Sequence, residues 1–124
     1  MNCNLRLGVK VDGTDIFAVI AEPILIRPFC NNLHEMFVAC MDWDYKPGEW
    51  YKVSEVWDKI KTGIKELSEH PENYEQYIPK NGWGNISYAL VTLRSLDCCI
   101  KQTIPGEDNW SCNEIPVEYL YMSW

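Results

Sequence analysis

Hydrophobic and polar residues alternate at the start of the chain. Over residues 5–11 every second side chain is apolar, which is the period-two pattern of a strand with one buried face. Residues 12–14, Asp-Gly-Thr, provide a turn, and residues 15–21 are mostly apolar on both faces of an extended chain. The pattern predicts a β-hairpin whose second strand occupies a central place in the sheet.

Further along the chain, apolar residues recur every three or four positions, which is the spacing of one helix face. A short helix is predicted over residues 33–41, with Asn31 or Asn32 as its N-cap. A longer amphipathic helix is predicted to begin at the N-cap Ser54 and to end near His70. The proline that follows suits the first turn of a new short helix.

A tight turn over residues 79–84 leads into a core helix predicted to run from Asn85 to about residue 101. Gly82 and Gly84 flank Trp83, so the turn is expected to be rigid and to present the indole ring. Two interpretations stay open. In the first, Trp83 fills the gap between helix and sheet. In the second, a small anionic ligand such as a nucleotide binds to the helix amides and stacks on the ring, and its binding residues are Gly82, Trp83, Gly84 and Asn85.

Residues 42–51 interrupt the periodic pattern with a Pro-Gly turn, three acidic residues and four large aromatic residues. Such rings either fold back onto the core or bind a partner, because Trp and Tyr are enriched at interface hot spots. If the loop is an interface, its partner-binding residues are Trp43, Asp44, Tyr45, Trp50 and Tyr51.

Two segments are predicted to complete the sheet. Residues 24–27 lie between two prolines and are at best an edge strand, whereas residues 116–124 alternate as a closing strand ending at Trp124. That last strand either lies inside its own sheet or pairs with its twin in a homodimer. The predicted fold is α+β: a two-layer sandwich with a mainly antiparallel sheet of three to four strands and two principal helices on one face.

Composition is that of an ordinary globular protein, and 124 residues fit one domain, 1–124. The net charge of −7 argues against direct nucleic-acid binding, which depends on Lys and Arg. Glu107, Asp108, Glu114 and Glu118 either keep the surface solvated or form an acidic face for a basic partner. No apolar run is long enough to span a membrane, and no export signal begins the chain, so a cytoplasmic protein is expected.

Six cysteines permit three disulfides, but reduced thiols are expected because the chain has no export signal and places Cys98 beside Cys99. No paired spacing typical of a zinc site occurs, and neither a metal nor a cofactor is expected. A nucleophilic cysteine needs a nearby base. Cys98 or Cys99 with His70 is conceivable, yet nothing in the spacing requires it, and no enzymatic activity is expected.

Three segments carry a resemblance: Asn32-Leu33-x-x-Met36, then Gly63-x-x-x-Leu67-x-x-His70-Pro71-Glu72, then Pro79-x-Asn81-Gly82-Trp83-Gly84. Over much of residues 29–101 the chain resembles a group of small uncharacterised proteins of bacteria and their phages. The resemblance implies an Asn-Leu helix after a strand, a long helix after the turn, and a closing strand. With the charge and the aromatic loop, it favours a small acidic protein that docks on another macromolecule and neutralises or regulates it, as immunity and phage anti-defence proteins do.

Overall fold

The computed structural model describes residues 2–22, 25, 29–46, 48–103 and 118–123. Helices and strands are interspersed along the chain. They are β1 Asn2–Lys10, β2 Phe17–Ala21, β3 Phe29–Cys30, α1 His34–Met41, β4 Trp50–Lys52, α2 Val53–Glu69, α3 Ile86–Thr103 and β5 Tyr119–Ser123. Short 3-10 turns at Asn31–Leu33, Pro71–Asn73 and Glu75–Tyr77 connect them. No helix among these residues is long and apolar enough to cross a membrane.

The strands form one antiparallel sheet in the order β2-β1-β5-β4, and the two-residue β3 pairs with the start of β1. The α+β sandwich predicted from the sequence is thus confirmed, with α2 and α3 as the two principal helices. Leu5 lies opposite Met122, and Leu7 lies opposite Leu120, so these four side chains share the inner face of the sheet.

The core fills the space between this inner face and the helices. The α2 backbone approaches its neighbours closely at Gly63, where an added Cβ would lie 2.8 Å from both Leu93 of α3 and Met41 of α1. The largest fully buried side chains are Tyr45, Phe29, Phe37, Leu7, Leu33, Met36, Met41, Ile60, Leu67, Leu93, Leu96 and Ile100. The helical periodicity of the sequence therefore identified most of the core.

The position of β2 contradicts the prediction, because β2 is an edge strand rather than a central one. Ile16 is 64% exposed and Val19 is 47% exposed. The register with β1 shifts between Leu7 and Gly8, which leaves Ile20 as the extra residue of a bulge. The place beside β1 in the middle of the sheet is taken by β5. This pairing joins the two ends of the chain, so no local sequence pattern indicates it.

The closing strand lies inside its own sheet. β5 pairs with β1 on one side and with β4 on the other, which is the first of the two predicted placements. β4 itself was not predicted, since two of its three residues, Trp50 and Tyr51, were assigned to the aromatic loop. Residues 116–117 and 124 of the predicted closing strand, and most of the predicted edge strand 24–27, lie outside the described residues.

The predicted ends of the helices are confirmed more often than their caps. α1 ends at Met41 and α2 at Glu69 as expected, and the next residue but one, Pro71, opens a 3-10 turn. Neither α1 nor α2 has a side-chain cap, so Asn31, Asn32 and Ser54 do not have the predicted role. α2 follows β4 without a loop, and the Val53 N–H donates instead to the carbonyl of Glu118, at 2.8 Å.

Candidate functional site

The five residues predicted to bind a partner do not form one surface. Tyr45 is only 1% exposed, and its ring contacts Phe29 at a centroid distance of 5.9 Å and His34 at 4.8 Å. Tyr45 is therefore a core residue, and its predicted role as a partner contact is wrong. The physical reason is that the loop folds back, so that this ring replaces water with apolar neighbours.

Trp43 and Tyr51 close the loop over that core. Their rings meet edge to face at 4.9 Å with an angle of 86°. The Tyr51 hydroxyl accepts a hydrogen bond from the Lys46 N–H at 2.9 Å and lies 3.1 Å from a Glu49 carboxylate oxygen. Burial, followed by the Glu49 hydrogen bond and charge, raises the pKa of Tyr51. Asp44 and Glu49 are both exposed beside them, so this part of the loop presents two acids and two half-buried rings.

Trp50 lies on the other side of the sheet, because successive residues of a strand point to opposite faces. Its indole stacks on Phe17 with a centroid distance of 4.6 Å and an angle of 6°, and lies 5.0 Å from Tyr121. Phe17 also meets Tyr119 edge to face at 5.0 Å. We call these four half-buried rings, Phe17, Trp50, Tyr119 and Tyr121, the aromatic face.

A glycine in β1 makes this arrangement possible. Trp50 belongs to β4 and Phe17 to β2, so the indole must cross the two strands between them. It does so over Gly8, where an added Cβ would lie 3.1 Å from the indole ring and 2.5 Å from the carbonyl oxygen of Ala18. Gly8 thus serves close approach, and the ring lies flat across the sheet.

Cationic side chains surround the aromatic face. The Arg6 guanidinium lies 5.9 Å from the Tyr121 ring centre and 3.2 Å from Glu22. Lys10 is related in the same way to Phe17, at 5.9 Å, and to Asp15, at 3.4 Å. Lys52 lies opposite Tyr119 and is exposed. The described strand residues that point outward therefore include three cations and no carboxylate, in a chain whose net charge is −7.

A shallow cavity of about 440 Å³ adjoins this face at the tip of the β1–β2 hairpin. Its lining mixes one cation with three carboxylates and the ring of Tyr119. The lining residues are Lys10, Val11, Asp12, Gly13, Thr14, Asp15, Glu118 and Tyr119. Glu118 is the only one of the four C-terminal acidic residues singled out in the sequence that lies within the described part of the chain.

The Gly-Trp-Gly turn presents its indole to solvent. Trp83 is 72% exposed, so it does not fill a gap between helix and sheet. The turn is fixed by positive φ angles of 78° at Gly82 and 133° at Gly84, and by a hydrogen bond from the Trp83 N–H to the Asn81 side chain at 2.9 Å. Leu33, at 3.0 Å from a Cβ built on Gly84, fills the inner side of the turn.

At the start of α3 a side chain already uses one helix amide. The Tyr88 N–H donates to Asn85 Oδ1 at 2.8 Å, so Asn85 is the N-cap of this helix. An anion at this helix end would have the amides of the preceding residues available and not that of Tyr88. The predicted start of the core helix is confirmed, since α3 begins at Ile86.

The thiols and histidines do not form an activated nucleophile in the described residues. Burial raises the pKa of the Cys40 thiol to about 12, and burial also raises the pKa of Cys99. His70 is exposed, and its ring nitrogen lies 3.8 Å from Glu72. Within the described ranges, no three His, Cys, Asp or Glu residues cluster as metal ligands, and Cys30, Cys40 and Cys99 are free thiols.

Sequence reasoning missed three of the four rings of the aromatic face. Tyr119 and Tyr121 were recognised as alternate residues of a strand, and Phe17 as part of an apolar one. In the sheet Phe17 lies opposite Lys10, Tyr119 opposite Lys52 and Tyr121 opposite Arg6, and this shared face follows from the strand register, which the sequence pattern did not predict. Comparison of the chain with known protein families, with curated proteins and with solved structures finds no match.

Proposed function

We propose that this protein is a non-enzymatic binding protein that docks on another protein and neutralises or regulates it, in the manner of immunity and phage anti-defence proteins. The observation that carries this proposal is the aromatic face. Its four rings lie on the side of the sheet opposite the core and its helices, yet they pack as closely as core residues.

The chemistry of this face suits a protein interface. Tyr, Trp and Arg are the residue types that contribute most to binding energy at protein interfaces. Here the rings are held in place by one another and by Gly8, so little conformational entropy is lost when a partner covers them. A flat, preorganised aromatic surface with a charged rim favours a partner of complementary shape over a small, deeply enclosed ligand.

The charges favour a partner whose contact surface is acidic. Arg6, Lys10 and Lys52 point outward among the rings, and the carboxylates of Glu22 and Asp15 approach the first two from the strand ends. A basic partner was also predicted from the C-terminal acidic residues, but three of those four lie outside the described part of the chain. We therefore assign the aromatic face to an acidic partner surface.

A capture experiment with charge variants tests this proposal. Tagged protein should retain one stoichiometric protein partner from a bacterial lysate, and Lys52→Glu should reduce retention at least tenfold because it places a carboxylate among the rings. Lys80→Glu is the matched control, since Lys80 is an exposed residue of the turn before α3, and it should bind like the wild type. Equal retention by both variants would contradict docking through this face.

A second candidate function is binding of a small anionic ligand, such as a nucleotide, at Gly82, Trp83, Gly84 and Asn85. The 72% exposure of Trp83 on a fixed turn favours it, because an exposed indole can stack on a planar ring. Small molecules released from the purified protein by heating should then include such a ligand. Trp83→Phe should lower the affinity for added ATP without changing the melting temperature, and unchanged affinity would reject this candidate.

A further inference from the structure

Among the described residues, β2 pairs with a strand on one side only, and its other edge carries no charge or proline between Ile16 and Ala21. Natural edge strands carry charges, prolines or inward-pointing polar residues that prevent pairing with another chain. Residues 16–21, Ile-Phe-Ala-Val-Ile-Ala, contain no charge, no proline and no glycine. The structure leaves Ile16 64% exposed and Val19 47% exposed on this strand. Such a segment associates with itself or aggregates unless it is covered.

The direction of the unused backbone groups follows from the pairing with β1. The Val11 N–H donates to the Ile16 carbonyl at 2.8 Å, and hydrogen-bonded pairs alternate along an antiparallel ladder. Ala18, opposite Val9, therefore directs its N–H and C=O toward β1. The N–H and C=O groups of Phe17 and Val19 then point toward the free edge.

We propose that the occupant of this edge is β2 of a second copy of the chain, paired antiparallel about a two-fold axis at Ala18. In that register Phe17 of each copy lies opposite Val19 of the other, and each such pair exchanges two backbone hydrogen bonds. The pairing uses only the regular part of the strand before the bulge at Ile20. The two sheets then form one continuous sheet.

The side chains and charges of β2 are self-complementary in this register. The exposed Val19 packs beside the Phe17 ring of the second copy on the outer face, which extends the aromatic face across the axis. Asp15 and Glu22 lie outside the paired segment 17–19, so no carboxylate falls within it. Each of these acids also has a β1 cation beside it, at 3.4 Å and 3.2 Å respectively.

Sedimentation equilibrium of the purified chain tests the pairing. The wild type should reach a mass twice its 14.5 kDa as concentration rises, because a two-fold pairing closes at the dimer. Val19→Lys should remain monomeric, since it places a charge on the strand edge and an ammonium group close to Lys10 of the second copy, which lies beside Phe17. Val91→Lys is the matched control, an exposed valine on α3, and it should dimerise like the wild type.

Cross-linking tests the register itself. Ala18→Cys in a Cys98→Ser background should form an intermolecular disulfide on mild oxidation, because residues opposite each other in a non-hydrogen-bonded pair have Cα atoms about 4.5 Å apart. Val91→Cys in the same background should not. A monomeric wild type, a Val19→Lys dimer as stable as the wild type, open-ended oligomers, or no disulfide at residue 18 would each overturn the proposal.

Discussion

The indole of Trp50 and the phenyl ring of Phe17 lie parallel, 4.6 Å apart, although two strands separate their own strands in the sheet. Only a missing side chain allows this contact. Gly8 lies beneath the indole, and β1 and β5 pass under the pair. The outer face of the sheet is consequently organised by one glycine as much as by its aromatic residues.

The first prediction concerns Gly8. Gly8→Ala should lower the free energy of unfolding by about 1–3 kcal/mol, the range typical of overpacking, because its Cβ would meet the Ala18 carbonyl at 2.5 Å and the indole at 3.1 Å. Guanidinium unfolding monitored by circular dichroism measures the change.

A double-mutant cycle with Trp50→Ala provides the control. Removing the indole leaves the carbonyl contact and abolishes the ring contact, so the loss caused by Gly8→Ala should be smaller in this background. An identical loss in both backgrounds would mean that the indole does not lie over Gly8.

Local pattern was sufficient to predict the helices and the hairpin. The three-four spacing of α2 and α3 follows from their burial against the sheet, and a single Asp-Gly-Thr turn fixes the β1–β2 hairpin. The order of the strands was not predictable in this way. Pairing of β1 with β5 joins residues more than a hundred positions apart, so β2 was assigned the central place that β5 occupies.

The candidate site shows a similar division. The composition of residues 42–51 indicated that aromatic side chains meet here, but not that Tyr45 is buried while Trp50 points to the opposite face. That difference depends on β4, a three-residue strand whose existence depends on β5. A segment of this length has no periodicity to detect. The exposure of Trp83 likewise depends on a residue distant in sequence, because Leu33 fills the inner side of the turn and the indole points to solvent.

The second prediction concerns the contact between α2 and α3. The Trp57 indole N–H donates to Asp97 at 2.6 Å, and Asp97 also lies 3.2 Å from Lys101. Trp57→Phe should lower the free energy of unfolding by about 1–2 kcal/mol, because the largely buried carboxylate loses its neutral donor.

The neighbouring residue Lys61 supplies the comparison. Its ammonium group lies 3.8 Å from the Trp57 ring centre on the exposed side, and such exposed contacts contribute about 0.5–1 kcal/mol. Lys61→Gln should thus be milder than Trp57→Phe in the same denaturant titration. The reverse order would indicate that the Asp97 hydrogen bond contributes little.

The third prediction contrasts the two glycines of the Gly-Trp-Gly turn. Gly82 has a φ of 78° and no atom within 4 Å of an added Cβ, whereas Gly84 has a φ of 133° and Leu33 at 3.0 Å. Asparagine tolerates the first conformation and not the second. Gly82→Asn should change the free energy of unfolding by less than about 0.5 kcal/mol, and Gly84→Asn should lower it by about 1–3 kcal/mol.

Thermal unfolding of the two variants side by side measures this contrast. The substitution is the same in both, and the positions are two residues apart, so differences in composition cancel. Equal melting temperatures would show that the turn relaxes and does not hold Trp83 in a fixed position. That result would also weaken the second candidate function.

The last prediction concerns Cys40 and alkaline pH. The thiol is 1% exposed, and burial raises its pKa from 9.0 to about 12. Between these two values the unfolded chain releases the thiol proton while the folded chain keeps it, so stability should fall as pH rises, by up to about 1.4 kcal/mol per pH unit. The raised pKa values of Tyr51 and Tyr74 act in the same direction.

Cys40→Ala separates the thiol from the tyrosines. This variant should be less stable than the wild type at pH 7 because a buried sulfur is lost, yet its stability should fall less steeply above pH 9, since only the tyrosine contributions persist. Urea unfolding at intervals between pH 8 and pH 11 gives both slopes. Parallel slopes would mean that the Cys40 thiol ionises as readily in the folded protein as in the unfolded chain, which is incompatible with its place among α1, α2 and α3.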